Sequence, residues 1–148
     1  MAKGIFGEII FKTKSGKTED DLLDKANDMI SEASLDRLKR MAFEVDATAK
    51  KLIQRRSSGI TYKRGNITHV ASKPGDPPNI DTGRLINSID HNVDKLLKIA
   101  TIGTNLEYGK FLEFGTKHIA ARPWLSRAFR AITQRFKNKD LKSKGPTK

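Results

Sequence analysis

The chain predicts an α+β domain in which a small antiparallel sheet packs on one long α-helix, with a long Pro/Gly-rich loop and a C-terminal helix. Three features of the sequence lead there. Apolar residues recur in steps of three and four over 35–56, irregular Pro- and Gly-bearing chain fills 57–82, and two short strand-like runs flank a reversal near Asp94-Lys95. The helix signal is the strongest: Leu35, Leu38, Ala42, Val45, Ala49 and Leu52 form one stripe, widened by Met41 and Ile53, as a helix with one buried face requires. Burying its large side chains contributes roughly 1.5–3 kcal/mol each before conformational entropy is subtracted.

The remaining elements follow in order. Residues 4–12, GIFGEIIFK, suggest a strand or an extended arm. Lys14 to Lys17 read as a turn, and Thr18 with Asp21 as the start of a helix carrying Leu22, Ala26, Met29 and Ala33. Ser31 and Ser34 mark a break or a weak point before the long helix, which ends at Ser57-Ser58-Gly59. Ile60–Tyr62 and Ile67–Val70 are expected to pair as a hairpin across Lys63-Arg64-Gly65-Asn66. Pro74, Gly75, Pro77 and Pro78 then exclude helix and central strand. A loop of this length is uncommon unless it has a function, here an arm that orders against a neighbouring subunit. Asp81-Thr82-Gly83 should cap a short helix with Leu85, Ile86 and Ile89. Ser88–Gly103 should form two strands. Leu106–Phe114 should be a helix with Tyr108, Phe111 and Leu112 inward. Pro123 suits the first position of a last helix striped by Trp124, Leu125, Ala128, Phe129, Ile132 and Phe136. The expected division is an N-terminal extension (1–33), a folded α+β domain (34–136) and a basic tail (137–148) that is disordered alone.

Charge is unevenly distributed. The net charge is +12, yet residues 1–46 and 76–116 are each net −2, whereas 47–75 hold 7 basic groups and no acid, and 117–148 are net +9. The two basic blocks favour an anionic partner. Lys50, Lys51, Arg55, Arg56, Lys63 and Arg64 in the first, and Arg135, Lys137 and Lys139 in the second, are candidate contacts to DNA or to an acidic protein face. With Tyr62 alone among them there is no stacking platform, so any nucleic-acid contact is expected to be sequence-blind and limited to the backbone.

Catalytic chemistry finds no support. No cysteine is present, which excludes disulfides, thiolate nucleophiles and thiolate metal sites. His69, His91 and His118 stand apart, without carboxylates at metal-ligand spacing. The Gly16-Lys17-Thr18 triplet lacks the glycine a phosphate-binding loop needs five positions earlier, where Phe11 stands. Glu107 and Glu113 point in different directions on a short helix, and Asp76, Asp81 and Asp90 lack the spacing of a Mg²⁺ nuclease. No enzyme, metal or cofactor is expected. The MAKGIFGEIIFKTKSGK start has no apolar run of signal-peptide length, and no apolar run could span a membrane, so synthesis in a cytoplasm is expected.

Two stretches carry a resemblance. The first is Ala71-Ser72-Lys73-Pro74-Gly75-Asp76-Pro77-Pro78-Asn79-Ile80-Asp81-Thr82-Gly83-Arg84-Leu85-Ile86-Asn87-Ser88-Ile89. The second runs from Ile102-Gly103-Thr104 through Glu107-Tyr108-Gly109-Lys110-Phe111-Leu112-Glu113-Phe114-Gly115-Thr116 to Ala121-Arg122-Pro123-Trp124-Leu125. In order and spacing they resemble the tail-completion proteins of long-tailed bacteriophages, also described as minor tail or neck proteins, over roughly residues 34–136. The chain departs from the usual pattern at Gly109, often alanine, and Trp124, often phenylalanine.

The resemblance implies a structural virion protein at the neck or tail top, made in the host bacterial cytoplasm. It would be a homo-oligomeric ring subunit, sixfold in related tails, that completes the tail and joins it to the head. Tail-terminator and head-connector proteins would be its neighbours. A mixed reading, drawn from the basic blocks rather than the resemblance, adds non-specific contact with packaged DNA or an acidic partner ring. Its expected interface comprises Pro74, Gly75, Pro77, Pro78, Asp81, Thr82, Gly83 and Arg84, then Tyr108, Phe111, Glu113, Phe114, Gly115, Thr116, Arg122 and Trp124. Thr82 would cap a helix, Gly83 would admit a neighbouring backbone, and Glu113 would meet Arg122 or Arg84. The alternative is a sequence-independent DNA-binding protein acting through the basic blocks. An unrecognised hydrolase is a weaker third reading.

Overall fold

The computed structural model describes residues 6–12 and 21–143, and side chains over 32–140. The expected turn at Lys14–Lys17 and the Thr18 cap fall outside the described residues. Helix α1, Asp21–Gln54, is continuous. It contains neither glycine nor proline, so nothing interrupts its backbone ladder. Ser31 and Ser34, read as a break or weak point, lie inside it. Leu38, Ala42, Val45, Ala49 and Ile53 are buried, in the predicted steps of three and four, and form one side of the core.

Strand β1 (Phe6–Lys12) joins the hairpin of β4 (Ile89–Asp94) and β5 (Ile99–Thr104) in an antiparallel sheet ordered β1-β5-β4. The β4–β5 register runs from Ile89↔Thr104 to Asp94↔Ile99. In the turn between them, Asp94 Oδ1 accepts the backbone N–H groups of Leu96 and Leu97, both at 2.9 Å. A period of two puts Ile89, His91 and Val93 on the face shared with Ala100, Ile102 and Thr104. That face packs on α1. The buried Asp46 carboxylate on α1 meets His91 Nδ1 at 2.9 Å and Lys50 Nζ at 2.8 Å. These partners compensate for its removal from water.

Helix α4, Leu125–Ser143, packs antiparallel on α1. Trp124, Leu125, Ala128 and Ile132 complete the core, and fully buried alanines on both helices let the backbones approach. Arg37 pairs with Asp140, and Glu44 with Arg135, along the seam. The hydrogen bonds that Arg37 donates to the Asp140 carboxylate raise the Arg37 pKa above its ordinary value. Two details of the sequence reading change. Pro123 precedes the helix rather than opening it, because Trp124 is the residue whose carbonyl accepts the first helical bond, from Ala128 N–H. The helix also continues beyond Phe136, where the packed region was expected to end.

Candidate assembly interface

After α1 the chain turns into a short hairpin of β2 (Thr61–Arg64) and β3 (Ile67–Val70), paired from Thr61↔Val70 to Arg64↔Ile67. The reversal is tighter than the four-residue one expected: only Gly65 and Asn66 lie in it, with Gly65 at φ 61°. A positive φ at the first central position matches the twist of a two-stranded ribbon. An isolated hairpin is marginal in water, so its anchors matter. Ala71 N–H donates to Ile60 O at 2.9 Å. Asp81 holds the ribbon from outside it, with Arg64 Nη1 at 3.0 Å and His69 Nδ1 at 3.4 Å. Asp81 is therefore a clamp on the hairpin rather than the expected helix cap. Ile60, Tyr62, Ile67 and Val70 remain exposed.

The Pro/Gly stretch is pinned to its own chain. Asn79 Nδ2 donates to Ser57 O at 2.7 Å and to Val70 O at 2.8 Å, while its Oδ1 accepts Ser57 N–H at 2.8 Å. Ser57 Oγ donates to Asp76 Oδ2 at 2.7 Å. Gly75 N–H donates to Ala121 O at 2.9 Å, and Arg127 Nη2 donates to Gly75 O at 3.0 Å. Pro77 and Pro78 are buried, whereas Pro74 and Gly75 are exposed. Proline at these positions leaves no backbone donor to satisfy. Sequence reasoning passed over Ser57 and Asn79; an Asn after two prolines was the available signal, since its amide can stand in for missing backbone bonds.

Helix α2 (Arg84–Ser88) follows directly. Its N-cap is Gly83 at φ 77°, with no side-chain cap. Thr82 Oγ1 reaches Arg84 N–H only at 3.5 Å, the limit of a hydrogen bond, so the expected Thr82 cap is weak. A Cβ on Gly83 would meet only the Asn87 amide at 3.7 Å. Its positive φ, not a close approach, is what calls for glycine there.

Helix α3, Glu107–Phe114, presents a different face from the one expected. Gly109 and Glu113 are buried and Leu112 is half-buried, while Tyr108, Phe111 and Phe114 are exposed, Phe114 by 66%. Glu113 does not meet Arg122 or Arg84. Its Oε2 accepts the N–H groups of Trp124 and Leu125 and its Oε1 that of Ser126, each at 2.9 Å, and Ser126 Oγ also donates to Oε1. One buried carboxylate thus satisfies the orphan donors of the α4 N-terminus, where the helix dipole favours negative charge. Gly115 lies in the turn that follows α3 and Thr116 is exposed. Thr116 Oγ1 accepts the N–H groups of His118 and Ile119. Glu113, Trp124, Pro77 and Pro78 are buried in the subunit and offer no side-chain surface to a partner.

The hairpin, the pinned loop, α2 and α3 enclose a cleft of about 420 Å³. It brings together Asp81, Thr82, Gly83, Arg84, Tyr108 and Arg122 of the expected interface. Exposed Tyr62 and Ile80, unremarked as interface residues in the sequence, line its mouth with Tyr108. Phe111 and Phe114 continue the apolar edge along α3.

The candidate phosphate contacts are less unified. Lys50, Arg64 and Arg135 are engaged by Asp46, Asp81 and Glu44. Lys51, Arg55 and Arg56 are exposed at the C-terminal end of α1, and Lys63 is exposed on β2. Lys139 lies over the Phe136 ring, which Arg37 also covers. The rise of 1.5 Å per residue puts Lys51 roughly 20 Å along α1 from Arg37, so the two basic blocks do not form one track. Lys137, also of the second block, is exposed.

Among the described residues no group of His, Cys, Asp or Glu is arranged to hold a metal ion, and no helix is long and apolar enough to cross a membrane. No curated protein and no solved structure gives a significant match. A family of phage proteins described as "Bacteriophage HK97-gp10, putative tail-component" matches residues 20–115, from the start of α1 through α3. Spanning more than half of the chain and most of the elements that build the cleft, this match makes the protein a member of the HK97-gp10-like family of phage tail components.

Proposed function

We propose that this tail component is a ring-forming subunit of the neck, which completes the tail and joins it to the head in a sixfold ring. A tail-component family implies a virion protein that contacts other tail proteins. The observation that carries the finer reading is the apolar edge formed by Tyr62, Ile80, Tyr108, Phe111 and Phe114, exposed on a scaffold whose loops are already tied down. Exposed aromatic surface on a rigid frame suits the core of a protein interface. Neighbouring copies are one set of partners; tail-terminator and head-connector proteins are the others.

The test is a particle made without this polypeptide. The proposal expects tails that fail to dock on filled capsids, and complete particles would overturn it. Native mass spectrometry of protein released from particles should give a closed ring. Limited proteolysis should cut the 57–82 region at the hairpin in free subunits and spare it in particles.

A second reading has one observation in its favour. Lys51, Arg55, Arg56 and Lys63 are exposed near one another in sequence and have no ion pair among the described residues. Contact with packaged DNA through them would weaken steeply with salt. Replacing Lys50, Lys51, Arg55 and Arg56 by glutamate would abolish it, and protein that ignores DNA at low salt would exclude it.

A further inference from the structure

The cleft has an internal chemistry of its own. Its floor is apolar, from Ile53, Leu85 and Leu112. Its charged lining comprises Arg64, Arg84, Arg122 and Asp81, three positive groups against one negative, with His69 beside them. Asp81 is engaged by Arg64 and His69, which leaves Arg84 and Arg122 with no carboxylate among the described residues. Two further groups lack hydrogen-bond partners: Ser72 Oγ, on a residue only 3% exposed, and the buried Arg122 Nε. Both residues line this cleft. Buried polar groups are nearly always partnered, so donors without acceptors above an apolar floor describe a site shaped for an absent acceptor.

We propose that this cleft receives an extended acidic peptide segment from a neighbouring virion protein, its carboxylate taken by Arg84 and Arg122 and an adjacent aliphatic side chain seated on the apolar floor. Arginine forks match carboxylate geometry better than any other side chain. Tyr62 and Tyr108 flank the mouth and cover the peptide's apolar side. A second occupant class, a phosphate backbone, is disfavoured by the apolar floor, because a polyanion brings no side chain to fill it. The source of the segment rests on the neck reading; the chemistry of the cleft does not, so a free subunit can be tested.

The probe is an acetylated, amidated pentapeptide of alternating glutamate and leucine. Its control carries glutamine for glutamate. Both are titrated into ¹⁵N-labelled full-length protein and followed by amide shifts and calorimetry. The acidic peptide is expected to shift amides over 78–86 and 108–112, and to bind about tenfold or more tightly than the control, the worth of a charge-assisted hydrogen bond. Arg84→Ala, an exposed position outside the core, should weaken it by a similar factor, whereas Lys95→Ala, exposed in the turn between β4 and β5 and outside the cleft lining, should not. Equal binding of both peptides overturns the proposal. So do shifts centred on Lys51 and Arg55, or an Arg84→Ala protein that binds as before. A cleft that passes this test in a protein dispensable for tail docking would refute the neck reading and leave the site intact.

Discussion

The Glu113 carboxylate on α3 lies 2.9 Å from the backbone nitrogen of Trp124, at the threshold of α4. That single contact couples the exposed aromatic edge to the core. Phe111 and Phe114 are held outward because Glu113, beside Phe114, is turned inward as a cap, and the same cap seats Trp124, which is 0% exposed.

Glu113→Ala should therefore destabilise the fold by about 2–3 kcal/mol, because buried helix donors lose a charged acceptor. Glu113→Gln retains one carbonyl oxygen and should cost less. Urea denaturation monitored by Trp124 fluorescence measures both, and equal stability of Glu113→Ala and the parent protein would rule out the capping account.

A Cβ at Gly109 would lie 2.5 Å from Thr104 Cγ2. The threonine cannot easily swing away, since its Oγ1 accepts Leu106 N–H at 3.1 Å and pairs with Ser88 Oγ at 2.5 Å. Gly109→Ala should cost roughly 1–3 kcal/mol through overpacking. Thr104→Ser removes the methyl and keeps the hydroxyl, so the double variant should recover most of the loss. A double-mutant cycle without coupling would contradict the geometry.

Asn79→Ala removes three hydrogen bonds that tie the loop to Ser57 and Val70. Hydrogen exchange should accelerate across 57–83 while the α1–α4 core stays protected, because local opening draws on the least-anchored segments. Uniform acceleration over the whole chain would mean that the loop and the core unfold together.

Phe114→Ser changes an exposed side chain and should leave stability within about 0.5 kcal/mol of the parent. If the aromatic edge is an assembly surface, the same change should cost about 2 kcal/mol or more in association, read as loss of the released ring and of tail docking. Normal assembly of a Phe114→Ser/Phe111→Ser double variant would remove the edge from the interface.

The long helix, the sheet hairpin and the apolar stripe after Pro123 were legible along the chain, because each is a local pattern with a period of 3.6 or 2. Leu38, Ala42, Val45 and Ala49 are buried as their spacing dictates. The orientation of α3 was not legible in this way. A helix with Tyr108, Phe111 and Leu112 reads as aromatic-inward, yet the buried positions are a glycine and a glutamate. Gly109 is buried because Thr104 leaves no room for more, and Glu113 because α4 presents bare N–H groups to it. Both causes arrive from elsewhere in the chain, and neither leaves a periodic trace. Asp81 behaves likewise: beside Thr82-Gly83 it looks like a cap, but the folded hairpin brings Arg64 and His69 to it instead. Composition and local periodicity determined the class of fold and the face of α1. Only the tertiary structure decided which polar groups are consumed internally and which are left facing the cleft, because hydrogen-bond partners are chosen by proximity in space.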